Sequence, residues 1–136
     1  MNKEKGFTLI ELLVVLVILT ALAGLVGPKV MGHLNSSNSK VAKVQLNDIS
    51  VAIDMFAIDN GRYPTSQEGL NSLINAPSAA KTWSGPYLKG GKIPIDPWGN
   101  SFLYELTPSG QYLLKTLGAD GIEGGEGDNE DFTVSS

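Results

Sequence analysis

The sequence has no cysteine and only one histidine among its 136 residues. The absence of cysteine excludes disulfides, cysteine nucleophiles and thiolate metal sites together. Basic residues are also fewer than acidic ones. The sequence has ten Lys and Arg and fourteen Asp and Glu, which give a formal net charge of -4. A protein that reads nucleic acid normally carries a basic patch, so this charge balance argues against nucleic acid as a partner.

One long stretch near the N-terminus lacks charged side chains. Residues 12–26 are apolar except for Thr20. Residues 7–30 would form a helix of roughly 36 Å, which is enough to cross a hydrocarbon core of roughly 30 Å. Lys3 and Lys5 precede this stretch, so the positive-inside rule predicts a cytoplasmic N-terminus and an exported C-terminal part.

Two ordinary explanations of this stretch fail to account for Glu11. A secretory signal peptide would be cut after small residues, a pattern that Ala21-Leu22-Ala23 approaches, and a plain membrane anchor would not be cut. Neither explains a carboxylate in an apolar helix, which costs roughly 2.5–3.5 kcal/mol at mid-membrane and less near an end. After a cut between Gly6 and Phe7, the new amine could pair with Glu11, four residues along the same helix face. Pairing within one chain and pairing between neighbouring chains both remain open.

The segment Lys5-Gly6-Phe7-Thr8-Leu9-Ile10-Glu11 resembles the class III signal of type IV pilins and pseudopilins. This motif is specific when it is N-terminal and an apolar helix follows directly. The resemblance implies that residues 1–6 are a leader, that a prepilin peptidase cuts between Gly6 and Phe7, and that Phe7 is N-methylated. It also implies an assembly role for Glu11 against the amine of an adjacent subunit.

The end of the apolar stretch contains residues that disturb helices. Gly24, Gly27 and Pro28 lie close together, and a proline inside a helix removes a hydrogen bond and clashes with the preceding turn. We therefore expect a kink or local melting at residues 24–28. A simple helix end is the alternative. The resemblance to pilins favours an assembly role for Pro28, as a flexible point that lets membrane helices pack in a filament.

A second helical pattern occupies residues 31–60. Apolar residues recur there at helical spacing, with polar residues largely between them. The predicted apolar face comprises Val41, Val44, Ile49, Ala52, Ile53 and Phe56. We expect this face to be hydrophobic core rather than a cofactor site, and we expect Gly61 to provide the left-handed cap that ends the helix.

The remainder, residues 61–136, is rich in turn residues and predicts a small, loop-rich β domain. Residues 70–74 indicate one short helical turn, and residues 96–100 indicate a tight turn. Residues 102–106 and 111–117 form two strand-like runs. The sequence thus predicts an α+β, type IV pilin-like fold, in which a long N-terminal helix with a membrane-spanning first half packs on a small antiparallel sheet.

Three sequence blocks narrow the family further. They are Asn60-Gly61-Arg62-Tyr63-Pro64-Thr65 with Gln67-Glu68-Gly69-Leu70, Asp96-Pro97-Trp98-Gly99-Asn100 with Tyr104, and Leu117-Gly118-Ala119-Asp120-Gly121 with Gly124-Gly125-Glu126-Gly127. In this order they resemble the major pseudopilin of type II secretion systems over nearly the whole chain. Fibre-forming type IV pilins usually carry a C-terminal cysteine pair, which is absent here. A fibre pilin or a competence pseudopilin remains the alternative.

Residues 117–131, here named the acidic loop, combine six carboxylates with five glycines. Oxygen-rich loops bent by glycine suit Ca²⁺, but the spacing does not fit an EF-hand, and the residues alone slightly favour a solvated acidic tail. The resemblance implies a structural Ca²⁺, which major pseudopilins bind through the aspartate of Gly-Ala-Asp-Gly, later acidic residues and nearby carbonyls. The ligands predicted on that basis are the side chains of Asp120 and Asp128 and the carbonyls of Leu117 and Ile122, with Asp131 as a further candidate.

A membrane-anchored hydrolase is the remaining alternative from another functional class. The sequence has no cysteine, no nucleophile elbow and no phosphate-binding loop. Its carboxylate pairs occur only in the acidic loop, where a general acid would lack the burial that raises a pKa. We therefore predict a protein that is not an enzyme.

The resemblance to major pseudopilins implies a mechanical role in the bacterial inner membrane. The protein would cross the membrane once, with a cytoplasmic N-terminus and a periplasmic C-terminal domain. Subunits would leave the lipid and form a homopolymer, a short periplasmic pseudopilus that includes minor pseudopilins. An inner-membrane platform with a cytoplasmic ATPase would drive assembly, and the filament would help to move folded exoproteins through the outer-membrane secretin.

Overall fold

The longest element is helix α1, which runs from Leu9 to Asn60 in a computed structural model that describes residues 6–136. The predictions about Lys3, Lys5 and most of the leader lie outside the described residues. The backbone stays helical through Pro28, so the local melting expected there is wrong. Pro28 removes only the hydrogen bond that its own nitrogen would donate to the Gly24 carbonyl, and the rest of the ladder continues.

The chain divides into two compact units between Asn35 and Ser36. The first unit contains the N-terminal part of α1, whose large apolar side chains are exposed from Leu9 to Met31. Among the described residues, α1 is the only helix long and apolar enough to cross a membrane, and its most apolar 18-residue window has a mean hydropathy of 2.9.

The second unit contains a three-stranded antiparallel sheet with β2 in the centre. Its strands are β1 (Leu103–Leu106), β2 (Tyr112–Thr116) and β3 (Phe132–Ser135). The first two strands and the short helical turn at Leu70–Leu73 were predicted from the sequence. The third strand was not predicted, because it is short: only four residues after the acidic loop, Phe132–Ser135, pair with β2. The predicted α+β fold is confirmed.

The C-terminal part of α1 buries one face in the core of the second unit. The fully buried helix residues are Ala42, Leu46, Ile49, Ala52, Ile53 and Phe56. The prediction was correct for the last four of these, but Val41 and Val44 are 45% and 60% exposed. Apart from Ala52, which precedes Ile53 directly, the buried residues follow a spacing of four, three, four and three from Ala42 to Phe56. Val41 and Val44 lie off that stripe.

The C-terminal end of α1 has the predicted cap. Gly61 adopts a φ of 70° and its nitrogen donates to the Ala57 carbonyl at 2.8 Å. A left-handed residue at this place turns the chain away from the helix axis and satisfies one of the last carbonyls. The loop that follows can therefore return along the helix towards the sheet.

Candidate functional site

The bond between Gly6 and Phe7 lies outside helix α1. Residues 6–8 are not helical, and the Phe7 side chain is 94% exposed. Around Gly6, no heavy atom of another residue lies within 4 Å of the place where a side chain would begin. The predicted cleavage bond is thus outside the helix, uncrowded and exposed.

Glu11 forms a capping box with Thr8 at the start of α1. The Thr8 N–H donates to Oε2 of Glu11 at 2.7 Å, and the Glu11 N–H donates to Oγ1 of Thr8 at 3.3 Å. This capping box was not predicted from the sequence, although the Thr-x-x-Glu spacing is its signature. The capping box turns the carboxylate of Glu11 back towards the N-terminus of the helix, one residue from Phe7.

The acidic loop closes on itself through its backbone. Gly118 has a φ of 68°, and a Cβ at this position would lie 2.7 Å from the Asp128 carbonyl oxygen. The Ala119 N–H donates to the same carbonyl at 2.8 Å. The returning segment therefore passes directly over Gly118, and only glycine fits there.

The turn at Asp96 supports the beginning of the acidic loop. The buried Asp96 carboxylate accepts hydrogen bonds from the backbone of Trp98 and Asn100 and from Oγ1 of Thr116, the last at 2.6 Å. Asn100 in turn donates to the Gly118 carbonyl at 3.2 Å. The sequence identified this tight turn but not its contact with the loop, because 18 residues separate Asn100 from Gly118.

The predicted calcium ligands occupy different environments. Asp120 is exposed and its Oδ1 accepts the Ile122 N–H at 3.1 Å. Asp131 is half-buried, and its Oδ2 accepts the Gly124 N–H at 2.9 Å. Its other oxygen, Oδ1, is buried without a hydrogen-bond partner. Asp128 contributes its backbone carbonyl to the closure of the loop.

The fit of this loop to Ca²⁺ depends on backbone oxygens as much as on side chains. Within residues 6–136, no three His, Asp or Glu side chains converge as a metal-binding group. Ca²⁺ nevertheless accepts backbone carbonyls among six to eight oxygen ligands. A buried carboxylate oxygen without a partner is costly, and the unpartnered Oδ1 of Asp131 is the atom of the loop that best suits such a cation.

Comparisons with known proteins agree with this architecture. The family model described as Type II secretion system, protein G matches residues 29–135, and the prokaryotic N-terminal methylation motif matches residues 1–27. Type II secretion system core protein G of Pseudomonas aeruginosa is 44% identical to the chain, covering 96% of the chain and 94% of the relative. The protein of the same name from Vibrio cholerae is 40% identical, covering 97% and 92%.

A solved structure supports the fold separately. The major pseudopilin from the type 2 secretion system of enterohaemorrhagic Escherichia coli superposes with a TM-score of 0.61 at 24% identity, covering 76% of this chain and 90% of that one. The family model alone spans well over half of the chain. The chain therefore belongs to the type II secretion system protein G family, whose members are structural pseudopilin subunits and not enzymes.

Proposed function

We propose that this chain is the repeating subunit of a periplasmic pseudopilus that helps to move folded exoproteins through an outer-membrane secretin. The observation that carries the proposal is the N-terminal part of α1, where large apolar side chains from Leu9 to Met31 are exposed. Such a surface is stable only in lipid or against other apolar helices. A subunit that moves from a membrane reservoir into a filament meets both environments in turn.

A second apolar surface of α1 supports self-association. Val44, Val51, Met55 and Ile58 are 47–82% exposed and lie on the side of α1 opposite its buried face. Their spacing of seven, four and three residues places them in one stripe, here named the outer stripe. A helix that is apolar on both sides is expected to be buried on both, and neighbouring copies in a homopolymer would cover the outer stripe.

Processing would prepare the subunit for assembly. Cleavage between Gly6 and Phe7 would remove the leader and leave a methylated amine on Phe7. Glu11 would pair with this amine, and an ion pair is much stronger among apolar side chains than in water. Because the capping box directs the Glu11 carboxylate towards the helix start, it is placed to receive an amine there. The pair would fix the register between adjacent subunits.

We infer the location and the partners from membership of the family. The single apolar helix and the methylation motif fit a protein anchored in the inner membrane with its N-terminus in the cytoplasm. A prepilin peptidase, minor pseudopilins, an assembly platform with a cytoplasmic ATPase and a secretin would be its partners. Pro28 would serve assembly through the backbone hydrogen bond that it lacks, which lets α1 bend when helices pack.

The first test is the intact mass and N-terminal sequence of the protein from its native membrane, for the parent and for Gly6→Ala. We expect the parent to begin with methylated Phe7 and the variant to keep its leader. Glu11→Gln is the matched control, since it should still be cut but should not assemble. A parent chain that begins near Gly24, or that still begins with Met1, would overturn the proposal.

We also propose that the acidic loop binds a structural Ca²⁺. The side chains of Asp120 and Asp128 and the carbonyls of Leu117 and Ile122 would hold the ion, and Asp131, whose Oδ1 is buried without a hydrogen-bond partner, would be a further ligand. The ion would neutralise the crowded carboxylates and join the two ends of the loop. Oxygen donors at the C-terminal side of β2 and just before β3 would thus stabilise the sheet.

Thermal unfolding tests the calcium site directly. Both tryptophans, Trp83 and Trp98, lie in the second unit, so their fluorescence reports on it. The parent should unfold at a higher temperature in Ca²⁺ than in EDTA, and Asp120→Ala should lose much of that gain. Asp48→Ala, an exposed helix carboxylate, is the control. Equal melting temperatures for Asp120→Ala and the parent in excess Ca²⁺ would refute the site.

A further inference from the structure

Lys115 occupies a central place on the outer face of the sheet. It is the fourth of the five residues of β2, the central strand, where it is opposite Leu103 of β1 and Thr133 of β3. Side chains alternate along β2, so Lys115 points away from the face that buries Tyr112 and Leu114. Its side chain is only 24% exposed, which is low for a lysine.

Carboxylates from three separate segments act on this ammonium group, one by direct contact and two through their charge. Glu123 of the acidic loop forms an ion pair with Nζ of Lys115. Glu105 of β1 and Asp131, just before β3, are diagonal neighbours of Lys115 on the same face of the sheet. These three groups all raise the pKa of Lys115, with the hydrogen bond to Glu123 as the largest cause.

The acidic loop itself, residues 117–131, contains no Lys or Arg. Lys115 is the last Lys or Arg in the chain, and six carboxylates follow it before β3. Like charges at this density repel one another, and a loop that repels itself opens unless a cation holds it. Three carboxylates around one ammonium still leave an excess of negative charge, so Lys115 does not exclude a second cation.

We propose that Lys115 is the internal counter-ion of the acidic loop and positions the loop on the sheet when no metal is bound. The ion pair with Glu123 ties the middle of the loop to β2, while the Gly124 N–H bonds to Asp131 and ties the next residue to the start of β3. The loop is therefore folded before a metal arrives. Only the part of this inference that concerns Ca²⁺ rests on the proposed calcium site.

The test compares Lys115→Met with the parent as full-length protein in detergent, first in EDTA. Lys115→Met keeps the length of the side chain and removes its charge, and Lys81→Met, an exposed lysine outside the loop, is the matched control. We expect Lys115→Met to unfold about 3–6 °C lower than the parent in EDTA, and hydrogen exchange to rise across residues 118–131. Glu123→Gln should reproduce both effects, and Lys115→Arg should restore the parent's behaviour.

Repeating the measurements in Ca²⁺ shows whether Lys115 stabilises the loop through its charge or through the packing of its side chain. If Lys115 acts through charge, Ca²⁺ should return most of the lost stability to Lys115→Met, so this variant gains more from the metal than the parent does. If Ca²⁺ stabilises the parent while Lys115→Met shows the same loss in EDTA and in Ca²⁺, or if exchange of the loop in EDTA is unchanged, the inference is overturned. If Ca²⁺ changes neither protein while the effects in EDTA appear, the calcium site fails and the role of Lys115 stands.

Discussion

The close contact at Gly118 shows how much of the loop's structure depends on one residue. Its positive φ is shared with Gly110, which has open space where a side chain would begin. Gly118 instead lies under the carbonyls of Asp128 and Glu130, whose oxygens would be 2.7 and 2.9 Å from a Cβ at this position. A side chain at Gly110 would meet only backbone strain, whereas a side chain at Gly118 would meet backbone strain and a steric clash.

We predict that Gly118→Ala destabilises the second unit clearly more than Gly110→Ala. Gly110→Ala should cost about 1–2 kcal/mol, which is the strain of a left-handed alanine. Gly118→Ala adds the displacement of the returning segment and the loss of the bond from Ala119 to Asp128. Urea unfolding followed by tryptophan fluorescence measures both variants. Equal losses would show that the segment can move away from Gly118 without cost.

The ion pair between Arg62 and Glu68 predicts a pH dependence. Both terminal guanidinium nitrogens of Arg62 lie 2.7 Å from Glu68 oxygens, and the Thr65 N–H adds a bond at 2.8 Å. The hydrogen bond from Arg62 is the largest cause that lowers the pKa of Glu68 below its ordinary value of 4.5. A carboxyl whose pKa is lower in the folded state contributes stability above its unfolded pKa and loses it as the pH falls.

Glu68→Gln should therefore lower the stability of the protein at neutral pH and have no effect on it in acid. The variant should melt below the parent at about pH 7, and the gap should close as the pH falls from about 4.5 towards 2. Melting temperatures of both proteins across this range provide the measurement. A gap that stays constant with pH would mean that Glu68 acts through shape rather than charge. Asp48→Asn, at an exposed position of α1, controls for the general effect of removing a carboxylate.

At the scale of elements, the two faces of α1 have different tasks. The buried face packs on the sheet of its own chain, and the outer stripe is left apolar and exposed. A charge on the outer stripe should leave the fold intact and interfere with assembly. Met55 is half exposed in the stripe, and Ser78 is an exposed position outside α1.

We predict that Met55→Glu folds as the parent does and assembles poorly, while Ser78→Glu assembles normally. The melting temperature of each variant tests the fold, and chemical crosslinking of native membranes tests the ladder of multimers. The reason is that a carboxylate buried between copies loses its hydration without gaining a partner. Normal multimers of Met55→Glu would show that the outer stripe faces away from neighbouring copies.

Helix periodicity and turn residues made much of this fold predictable. The features that depend on contacts between residues distant in sequence could not be predicted. Ile49, Ala52, Ile53 and Phe56 were assigned to the core correctly. Val41 and Val44 were misplaced, because two apolar stripes share one helix and the sequence does not say which faces the sheet. β3 was missed for a related reason. Its four residues become a strand only through pairing with β2, and that pairing depends on closure of the acidic loop.

The candidate sites also differ in whether they depend on local sequence or on contacts between distant residues. The N-terminal motif is local, so Gly6, Phe7 and Glu11 could be identified from sequence, although their assembly roles stay predictions. The surroundings of Asp131 and Lys115 are not local. They arise where β1, β2 and the start of β3 meet, and only the strand register brings Glu105, Lys115 and Asp131 to one face.

At the scale of the whole molecule, the question left by the sequence is whether Glu11 pairs within its own chain or with a neighbour. The two cases differ in a mixture of subunits. If pairing is between neighbours, a Glu11→Gln subunit still has the amine that a parental Glu11 requires, so it can enter a filament beside a parental copy. If pairing is within one chain, parental copies give the variant no help.

We predict that Glu11→Gln alone forms no multimers and that it enters multimers when a differently tagged parent is produced with it. Each parental carboxylate can receive the variant's Phe7 amine, and in apolar surroundings that single pair outweighs an unpaired charge. Affinity capture of the parent after crosslinking would recover the processed variant in proportion to its production. Gly6→Ala, which keeps its leader and has no free amine on Phe7, is the control and should not be recovered. Absence of Glu11→Gln from the captured multimers, with its cleavage and methylation intact, would place the pair within one chain.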